Sequence, residues 1–447
     1  MSIFKDCDIR GIYPTEIDDD AAYLIGRALS TLHPGARLCV GGDVRISTPA
    51  IKAAFIRGLS EGGARVVDIG VIPTPALYFA LSSGDYDGGA TVTASHNPPQ
   101  YNGIKFMFGP DPVTRADIDA VRALVKSGDF ANAPGEVSHY DLLPDYIESM
   151  VRRFKAHKPL KILVDAGNGA MSAAAPEALR RCGYEVVELF CEEDGAFPGR
   201  DPNPADYSHL DAARAKVVES GADFGVAFDG DGDRAVFIDE TGRAVENERS
   251  LALFIRRLLR NRPTAVVYDQ KCSSAVKRAA LEMGGDPAPE RSGHAFIKRH
   301  FLRDSAAIAG EVSGHFFFGE LGYDDGLFAA LMMADIVAES GLTLSHLVSD
   351  IVIPPITPDL RVYCPYAEMN EWLRRIEALA EGRPCAVSKL DGVRLDFPDG
   401  WLLVRKSVTA EQITFRAEAD SPERLREILQ MAADVLPEAA GQTLLHR

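Results

Sequence analysis

The chain has 447 residues, of which 46% are apolar and 25% are charged, and its formal net charge is −17. This length exceeds what a single hydrophobic core usually supports, so three or four domains are expected. The negative charge disfavours nucleic acid and anionic membranes as partners, so an anionic ligand would have to be held by a local cluster of Arg and Lys.

The cysteines and the N-terminal residues bear on covalent chemistry and location. There are seven cysteines, an odd number, and no Cys-x-x-Cys pair, so neither a disulfide framework nor a zinc site is expected. The N-terminal residues are charged and contain no apolar signal core. No apolar run reaches the roughly 18 residues that a membrane helix needs. These features predict a soluble cytoplasmic protein.

Short apolar strands alternate with amphipathic helices along the chain, and a Gly- and Asp-rich turn joins each pair. The first clear unit is a strand over 37–40 followed by a helix over 51–60. Similar units are predicted at 161–181 and at 264–282. Strands that alternate with helices indicate parallel sheets, in which ligands bind at the carboxyl ends of the strands.

The first polar loop of interest has the sequence TASHNP at residues 93–98, after a strand predicted over 89–92. The Asn-Pro and Pro-Pro pairs prevent a helix from continuing, so the backbone after Ser95 is expected in a turn. A serine on such a turn can project into a cleft, and the loop can equally be a turn without chemistry. Without a Gly-x-Ser-x-Gly motif, a serine hydrolase is a weak interpretation. Lys105 follows within the next short segment.

The second polar loop has the sequence DGDGDR at residues 229–234, directly after a predicted buried strand over 223–228. Glycines between the aspartates permit tight curvature, so three carboxylates can converge on one cation. Hard oxygen ligands of this kind favour Mg²⁺ or Mn²⁺. Together with a serine nucleophile, such a metal site indicates phosphoryl transfer.

The acidic loop has three other interpretations. An EF-hand also begins Asp-x-Asp-x-Asp, and Glu240 falls at its twelfth position, but Arg234 stands where the EF-hand turn requires Gly and a strand precedes the loop. A phosphatase of the haloacid dehalogenase type uses Asp-x-Asp after a strand, but usually in the first strand of its domain. A purely structural acidic turn is disfavoured because three uncompensated carboxylates repel one another.

Two later loops offer groups that suit a sugar phosphate. The sequence GEVSGH at 310–315 follows a strand predicted over 306–309 and places a carboxylate and a hydroxyl between glycines. The sequence RKSVT at 405–409 supplies two cations and two hydroxyls, which suit a phosphate. Each loop alone is equally explained as a polar turn or as an exposed basic strand end.

The C-terminal part of the chain has a different pattern. After a Pro-rich stretch at 353–358, strands are predicted over 386–396 and 401–404 as a hairpin, and a helix over 422–436. Arg394 lies on the strand that partners the one leading to Arg405. This segment is predicted to be a small α+β domain.

These loops, in this order, resemble those of the α-D-phosphohexomutase superfamily, and the resemblance covers essentially the whole chain. Residues 93–98 resemble its phosphoserine loop, 229–234 its metal loop, 310–315 its sugar-specificity loop and 405–409 its phosphate loop. Two further segments match as well, DIRG at 8–11 and GHAFIK at 293–298. Within the superfamily, the chain is most similar to the bacterial phosphomannomutase/phosphoglucomutase group, because Glu-x-Ser occupies the sugar loop.

The resemblance implies a fold of three tandem α/β domains with mixed, mostly parallel sheets. A C-terminal α+β domain, similar to the TATA-binding protein, completes a central cleft. The expected domains carry one loop each, in the order phosphoserine, metal, sugar and phosphate: 1–142, 143–247, 248–357 and 358–447.

The resemblance also implies a set of site residues. Mg²⁺ would be held by a phosphoserine oxygen at Ser95 and by the three aspartates Asp229, Asp231 and Asp233. The expected catalytic residues are Ser95, His96, Lys105, Arg10, Arg234 and His315, with Lys105 and His315 as the general acid and base. The expected substrate contacts are Glu311, Ser313, His294, Lys271, Arg394, Arg405, Ser407 and Thr409.

The implied reaction interconverts hexose 1-phosphates and hexose 6-phosphates, of mannose, glucose or both, through a hexose 1,6-bisphosphate that also activates the enzyme. The implied partners are small-molecule hexose phosphates, and the implied assembly is a monomer or weak homodimer. The alternatives are a phosphoglucosamine mutase, a phosphatase or bisphosphate-forming phosphotransferase on the same apparatus, and a non-catalytic sugar-phosphate sensor.

The chain departs from the superfamily pattern at several positions. Val408 stands where the phosphate loop usually has Asn, and Glu411 places an anion near the expected phosphate. Cys7 stands where an aromatic residue is common, and the segment between His315 and Asp324 lacks a frequent Trp. These differences bear on the substrate more than on the reaction type.

Overall fold

The computed structural model of the protein describes residues 3–407 and 410–446, except for the side chain of Ser83. Its strands form one sheet of six strands and three sheets of five strands, arranged one after another along the chain. The first three sheets contain parallel and antiparallel pairs, and the fourth is entirely antiparallel. The predicted fold class is therefore confirmed.

The first sheet has the strand order β1-β5-β4-β2-β3-β6. Its strands are β1 Ile9–Ile12, β2 Arg37–Gly42, β3 Arg65–Val71, β4 Gly88–Val92, β5 Tyr101–Phe108 and β6 Glu136–His139. The associated helices are α1 Asp19–Leu32, α2 Thr48–Glu61, α3 Thr74–Ser83, α4 Arg115–Ser127 and α5 Leu143–Val151. Strands β4, β2, β3 and β6 are parallel to one another. At one edge, β5 pairs antiparallel with β4, and β1 pairs antiparallel with β5.

The central strand β2 is buried on both faces because its alternate side chains enter different cores. Leu38 and Val40 pack with residues of α1 and α2, such as Ile25 and Phe55. Cys39 enters a second core, which extends through the second and third sheets. A strand with helices on both faces has no polar face, which explains the continuous apolar run at this position.

The second sheet has the order β11-β10-β9-β7-β8. Its strands are β7 Lys161–Asp165, β8 Glu185–Leu189, β9 Phe224–Phe228, β10 Ala235–Asp239 and β11 Ala244–Val245. Its helices are α6 Met171–Cys182 and α7 Asp211–Ser220. The strand β9 is buried along its whole length, and the acidic loop begins at its carboxyl end.

The third sheet has the order β13-β12-β14-β15-β16. Its strands are β12 Ala265–Asp269, β13 Asp286–Glu290, β14 Ile308–Gly310, β15 Phe316–Phe318 and β16 Tyr323–Asp324. Its helices are α8 Asn247–Leu258, α9 Ser274–Glu282, α10 His294–Arg303, α11 Gly326–Ser340 and α12 Leu344–Val348. Helix α11 is apolar and buried throughout residues 326–334, and this part lies within the core that the first three sheets share.

The fourth sheet has the order β17-β21-β20-β19-β18 and a core of its own. Its strands are β17 Leu360–Tyr363, β18 Ala386–Ser388, β19 Val393–Phe397, β20 Gly400–Lys406 and β21 Gln412–Ala419. Its helices are α13 Met369–Ala378, α14 Pro422–Asp434 and α15 Glu438–Leu445. The prediction of a single strand over 386–396 was wrong, because the chain reverses direction at Gly392. The φ of Gly392 is 82°, a value that disfavours residues with a Cβ.

Within residues 3–407 and 410–446, no helix is both long and apolar enough to cross a membrane. Residues near all four sheets line one cleft, and the serine loop, the acidic loop and the loop that carries His315 meet there.

Candidate active site

A cavity of about 840 Å³ is lined by residues from the regions of all four sheets. Ser95, Arg10 and Lys105 come from the first region, and Arg234 follows the second sheet's β9. The third and fourth regions contribute three more predicted residues, which are His294, His315 and Arg405. With Asp233 of the acidic loop, the cavity therefore brings together eight side chains that were predicted from distant parts of the sequence.

Ser95 is the third residue after β4 and is almost fully buried. Its φ of 50° is in the left-handed region, which few residues with a Cβ adopt, and this turns the side chain toward the acidic loop. Ser95 Oγ donates a hydrogen bond of 2.8 Å to Asp229 Oδ2 and lies 3.2 Å from His96 Nδ1. The nucleophile candidate is thus in direct contact with the predicted metal loop.

The three aspartates of the acidic loop converge at one point. Asp229, Asp231 and Asp233 are fully buried, and one carboxylate oxygen of each lies within 4.8 Å of the others. In the described part of the chain, Asp231 Oδ1 and Asp233 Oδ1 have no hydrogen-bond partner. Buried carboxylate oxygens without partners are costly, and a bound divalent cation would satisfy them. The donor set therefore fits a hard metal ion.

The other oxygens of these aspartates contact the protein. Lys105 Nζ lies 2.7 Å from Asp231 Oδ2 and 2.8 Å from Asp233 Oδ2, and Thr74 Oγ1 donates to Asp231 Oδ2 at 2.7 Å. Burial opposes the charge of Lys105, but the two carboxylates outweigh burial and raise its pKa well above the usual value. Lys105 is therefore held in its protonated form.

The titration of the three aspartates is uneven. Burial, Asp233 and Asp231 together raise the pKa of Asp229 well above its usual value. Burial also opposes the charges of Asp231 and Asp233, but Lys105 outweighs that effect and lowers the pKa of both. The cluster thus carries negative charge on Asp231 and Asp233, whose Oδ1 atoms have no hydrogen-bond partner among the described residues.

Two histidines share one buried carboxylate at the edge of the cavity. Asp324 accepts from His294 Nε2 through Oδ1 and from His315 Nδ1 through Oδ2, each at 2.9 Å. Arg234 Nε donates to His315 Nε2 at 2.9 Å, so this nitrogen is an acceptor here. Burial lowers the pKa of His315, but Asp233 and Asp324 outweigh it and raise the pKa to about 9. The hydrogen bond from Arg234 Nε therefore belongs to the neutral ring, whereas the raised pKa favours the protonated ring, in which Nε2 carries its own proton.

Arg10 and His96 border the same side of the serine loop. Arg10 Nη1 donates to Asn97 Oδ1 at 2.7 Å, and its Nη2 pairs with Asp8 at 2.6 Å. The positive charge of Arg234 and burial lower the pKa of His96 well below its usual value. His96 is therefore neutral beside Ser95, and the local positive charge comes from the arginines.

Glu311 and Ser313 are close to each other but do not line the cavity. Ser313 Oγ donates to Glu311 Oε2 at 2.9 Å, and Glu311 Oε1 is buried without a hydrogen-bond partner among the described residues. The loop lies between β14 and β15, and Glu311 N donates to His315 O at 3.1 Å. These contacts link the loop directly to the histidine that does line the cavity.

The predicted phosphate contacts are engaged with other protein groups. Arg405 pairs with Asp391 at 2.7 Å, and Lys271 pairs with Asp359 at 2.7 Å. Arg394 donates to the carbonyl oxygen of Gln270. Ser407 Oγ accepts from Ala410 N at 3.1 Å. Thr409 and Val408 lie outside the described residues.

Several polar residues that contact this site were not predicted. Thr74 and Asp324 follow no recognisable motif, and only the fold places them beside the acidic loop and the histidines. Asp43 and Arg45 contact the serine loop from the turn after β2. That Gly-Gly-Asp turn at the end of a parallel strand was visible in the sequence and was the available signal.

A serine hydroxyl bonded to a carboxylate of a cation-binding cluster, with several positive side chains around it, is an arrangement suited to phosphoryl transfer. Comparisons with known proteins agree. The chain matches the family of phosphoglucomutase/phosphomannomutase alpha/beta/alpha domains, with domain I at residues 1–132, domain II at 144–242 and domain III at 246–353.

Similar proteins cover nearly the whole chain. The phosphomannomutase/phosphoglucomutase of Pseudomonas aeruginosa is 35% identical over 433 residues, which are 96% of this chain and 94% of that protein. A phosphoglucomutase of Neisseria meningitidis serogroup A is 36% identical and covers 95% of each chain. A crystal structure of a phosphoglucomutase/phosphomannomutase family protein from Burkholderia thailandensis superposes with a TM-score of 0.92 at 34% identity, covering 98% of this chain and 97% of that one. The chain belongs to the phosphoglucomutase/phosphomannomutase family.

Proposed function

We propose that this protein is a phosphohexomutase that interconverts hexose 1-phosphates and hexose 6-phosphates, of glucose, mannose or both. In this reaction a phosphate on Ser95 passes to the free hydroxyl of the substrate, which gives a hexose 1,6-bisphosphate. The bisphosphate turns around in the cleft, and its other phosphate returns to Ser95. One P–O bond forms and one breaks in each half, so no phosphate is released.

One observation carries this proposal. Ser95 Oγ lies 2.8 Å from Asp229 Oδ2, although the two residues are 134 positions apart in the chain. A phosphate on that oxygen would project into a cavity bordered by Arg10, Arg234 and Lys105. Positive groups that are already in place stabilise the charge of a transferring phosphoryl group.

The proposed cofactor is one Mg²⁺ ion in each active site. Asp229, Asp231 and Asp233 would hold it together with an oxygen of phosphorylated Ser95. Two of these aspartates, Asp231 and Asp233, present oxygens that have no hydrogen-bond partner among residues 3–407 and 410–446. When bound, Mg²⁺ would neutralise charge on the phosphoryl oxygens. A hexose 1,6-bisphosphate is the proposed activator because it can phosphorylate Ser95 directly.

Lys105 and His315 are the proposed acid and base. The attacking hydroxyl must lose a proton, and His315 in its neutral form can accept that proton at Nε2, the atom that Arg234 Nε contacts in this structure. Lys105 is protonated and can stabilise or protonate the departing oxygen. Because the reaction runs in both directions, each residue serves in turn as donor and acceptor. His96 is proposed to fix the serine loop.

The remaining residues would hold the sugar and its second phosphate. Glu311 and Ser313 are proposed to contact sugar hydroxyls in both orientations of the bisphosphate. The proposed contacts to the phosphate that does not react are Lys271, His294, Arg394, Arg405, Ser407 and Thr409. Closure of the region over 358–447 on the cleft would exclude water and protect the phosphoserine.

A coupled mutase assay with Mg²⁺ and a trace of glucose 1,6-bisphosphate tests this proposal. Glucose 1-phosphate and mannose 1-phosphate are expected to turn over, with little turnover of glucosamine 1-phosphate. Ser95→Ala should lower kcat by at least a thousandfold with an unchanged thermal midpoint, because the transferred phosphate has no carrier. Removal of Mg²⁺ with EDTA should stop the wild-type enzyme reversibly.

Other outcomes would identify the alternatives. Preferred turnover of glucosamine 1-phosphate would indicate a phosphoglucosamine mutase. Net release of phosphate or accumulation of bisphosphate would indicate a phosphatase or a bisphosphate-forming enzyme. Binding of hexose phosphates without any phosphate on Ser95 would indicate a sensor. Full activity in a verified Ser95→Ala preparation would exclude the phosphoserine mechanism.

A further inference from the structure

Behind the serine loop lies an arginine that touches neither the cavity nor the solvent. The side chain of Arg45 is 0% exposed, and its guanidinium sits below the backbone of residues 95–101. Its Nη2 donates to the carbonyl oxygens of Ser95 at 2.7 Å and Asn97 at 2.6 Å. Its Nη1 donates to those of Pro98 at 2.8 Å and Tyr101 at 3.0 Å. One side chain thus binds four carbonyl oxygens of a single loop.

The fifth N–H of Arg45 is directed at its own turn. Nε donates to Asp43 Oδ2 at 3.0 Å. The same carboxylate accepts from Thr48 Oγ1 and from Thr93 Oγ1, each at 2.7 Å. Thr93 Oγ1 in turn accepts from Ser95 N at 2.9 Å. All five donors of the guanidinium are satisfied, and Asp43 holds both Arg45 and the residue that bonds the Ser95 amide.

These contacts act on a backbone that needs support. Ser95 has a φ of 50°, a conformation that costs free energy for a residue with a Cβ and persists only when its surroundings impose it. Its carbonyl and its amide are the groups that Arg45 and Thr93 hold. Without them, the loop could relax to other turns and carry Ser95 Oγ away from Asp229.

The other side of Arg45 faces the second sheet's region. Phe197 lies over the guanidinium, with its ring centre 5.0 Å from the central carbon of Arg45. A Cβ added to Gly230 would lie 3.5 Å from the Phe197 ring and 2.5 Å from Ser95 O. The serine loop is therefore packed tightly between Arg45 on one side and the acidic loop on the other.

We infer that Arg45, anchored by Asp43, is a positioning residue that holds Ser95 in its strained conformation while phosphate is added and removed. This inference rests on the proposed function, since it assigns Arg45 a role in the transfer step. Arg45 does not line the cavity and so makes no contact with substrate. Its loss should therefore lower kcat and leave KM nearly unchanged.

The test compares two arginine-to-lysine variants with the wild-type protein. Arg45→Lys keeps the charge but cannot reproduce five planar donors. Arg27→Lys is the matched control, because Arg27 is also a buried arginine of the first region. Arg27 Nη2 bonds Ala131 O at 2.8 Å and Asn132 Oδ1 at 2.6 Å, away from the cavity. The measurements are kcat, KM for glucose 1-phosphate, thermal midpoint and amide hydrogen exchange of residues 93–101.

Arg45→Lys is expected to lower kcat at least a hundredfold, to leave KM within threefold, and to speed exchange of the 93–101 amides at least tenfold. Arg27→Lys should lower the thermal midpoint with kcat within twofold and with unchanged exchange in 93–101. Folded Arg45→Lys with kcat within threefold of wild type would overturn the inference. Equal losses of kcat in both variants would also overturn it, since they would indicate general destabilisation.

A second variant applies if Arg45→Lys does not fold. Thr93→Val keeps the shape of the side chain and removes its hydrogen bonds to Asp43 and to the Ser95 amide, so kcat should fall about tenfold with KM unchanged. Unchanged kcat would contradict the inference. The exchange measurement separates this result from failure of the proposed function. An inactive wild-type protein would refute mutase activity, while faster exchange in Arg45→Lys would still demonstrate the support of the loop.

Discussion

At the residue scale, the site depends on buried charged side chains, each of which contacts specific groups of the protein. Lys105 pairs with the Oδ2 atoms of Asp231 and Asp233, and their Oδ1 atoms, which have no hydrogen-bond partner among the described residues, could bind a cation. This division allows a protein with a net charge of −17 to handle an anionic substrate, because the positive groups are concentrated around one serine. Single carboxylates in such surroundings titrate far from their usual range.

Asp325 offers a pH test that is separate from catalysis. It is fully buried at the start of α11, where its Oδ1 accepts from Phe328 N at 2.9 Å, and Tyr146 Oη lies 3.0 Å from both oxygens. Burial raises the pKa of Asp325 to about 7. The folded protein therefore keeps this proton up to about pH 7, whereas the unfolded chain loses it near pH 4.

From this shift we expect the contribution of Asp325 to stability to be complete below about pH 4 and to be lost as the pH rises to about 7. Asp325→Asn cannot ionise and can still cap the helix. The thermal midpoint of Asp325→Asn minus that of wild type should therefore be larger at pH 8 than at pH 5, by roughly 2–4 °C. An identical difference at both pH values would show that Asp325 does not titrate in this range.

At the scale of elements, the site is formed by loops at the carboxyl ends of strands, and the spacing between two of them is set by glycine. Gly230 lies in the acidic loop against the serine loop, and a Cβ there would be only 2.5 Å from Ser95 O. Its φ is not in the left-handed region, so alanine is conformationally acceptable there. The glycine is required for close approach of the two loops, and not for a turn.

Gly230→Ala should force the two loops apart by several tenths of an ångström and lower kcat at least tenfold, because the phosphoserine and the aspartates would no longer converge. Gly221→Ala is the control. Gly221 ends α7 with a φ of 64° and has nothing within 4 Å of an added Cβ, so it should lose stability but keep its kcat. Equal kcat values for the two variants would mean that loop spacing is not limiting.

Sequence patterns predicted these loops because each follows a strand and contains its candidate functional side chains within six residues. The strand–helix order, the convergence of the three aspartates and the family were all confirmed. Residues such as Asp324 and Thr74 could not be predicted, since their partners lie on other elements and depend on how the sheets pack. The turn at Gly392 was missed even though Asp391 and Gly392 form an Asp-Gly pair, which is a strong hairpin signal.

At the scale of the whole molecule, the regions of the third and fourth sheets are joined by polar contacts. Lys271 follows β12 of the third sheet, and Asp359 precedes β17 of the fourth sheet. Lys271 Nζ lies 2.7 Å from Asp359 Oδ2. Asp359 also lies 3.6 Å from Arg416. Contacts of this kind between separate cores are compatible with movement of one region relative to the other. The domain boundaries near 142, 247 and 357 stay predictions.

The ion pair of Lys271 and Asp359 predicts a competition with substrate. If Lys271 contacts the phosphate of the substrate, that phosphate must first displace the Asp359 carboxylate. Asp359→Asn should therefore lower KM for glucose 1-phosphate by about threefold to tenfold, since each tenfold change in affinity corresponds to about 1.4 kcal/mol. Asp350→Asn is the control, because Asp350 pairs with Arg256 at 3.0 Å outside the cavity, and its KM should not change. A higher KM in Asp359→Asn would mean that Asp359 orients Lys271 toward the substrate and does not compete with it.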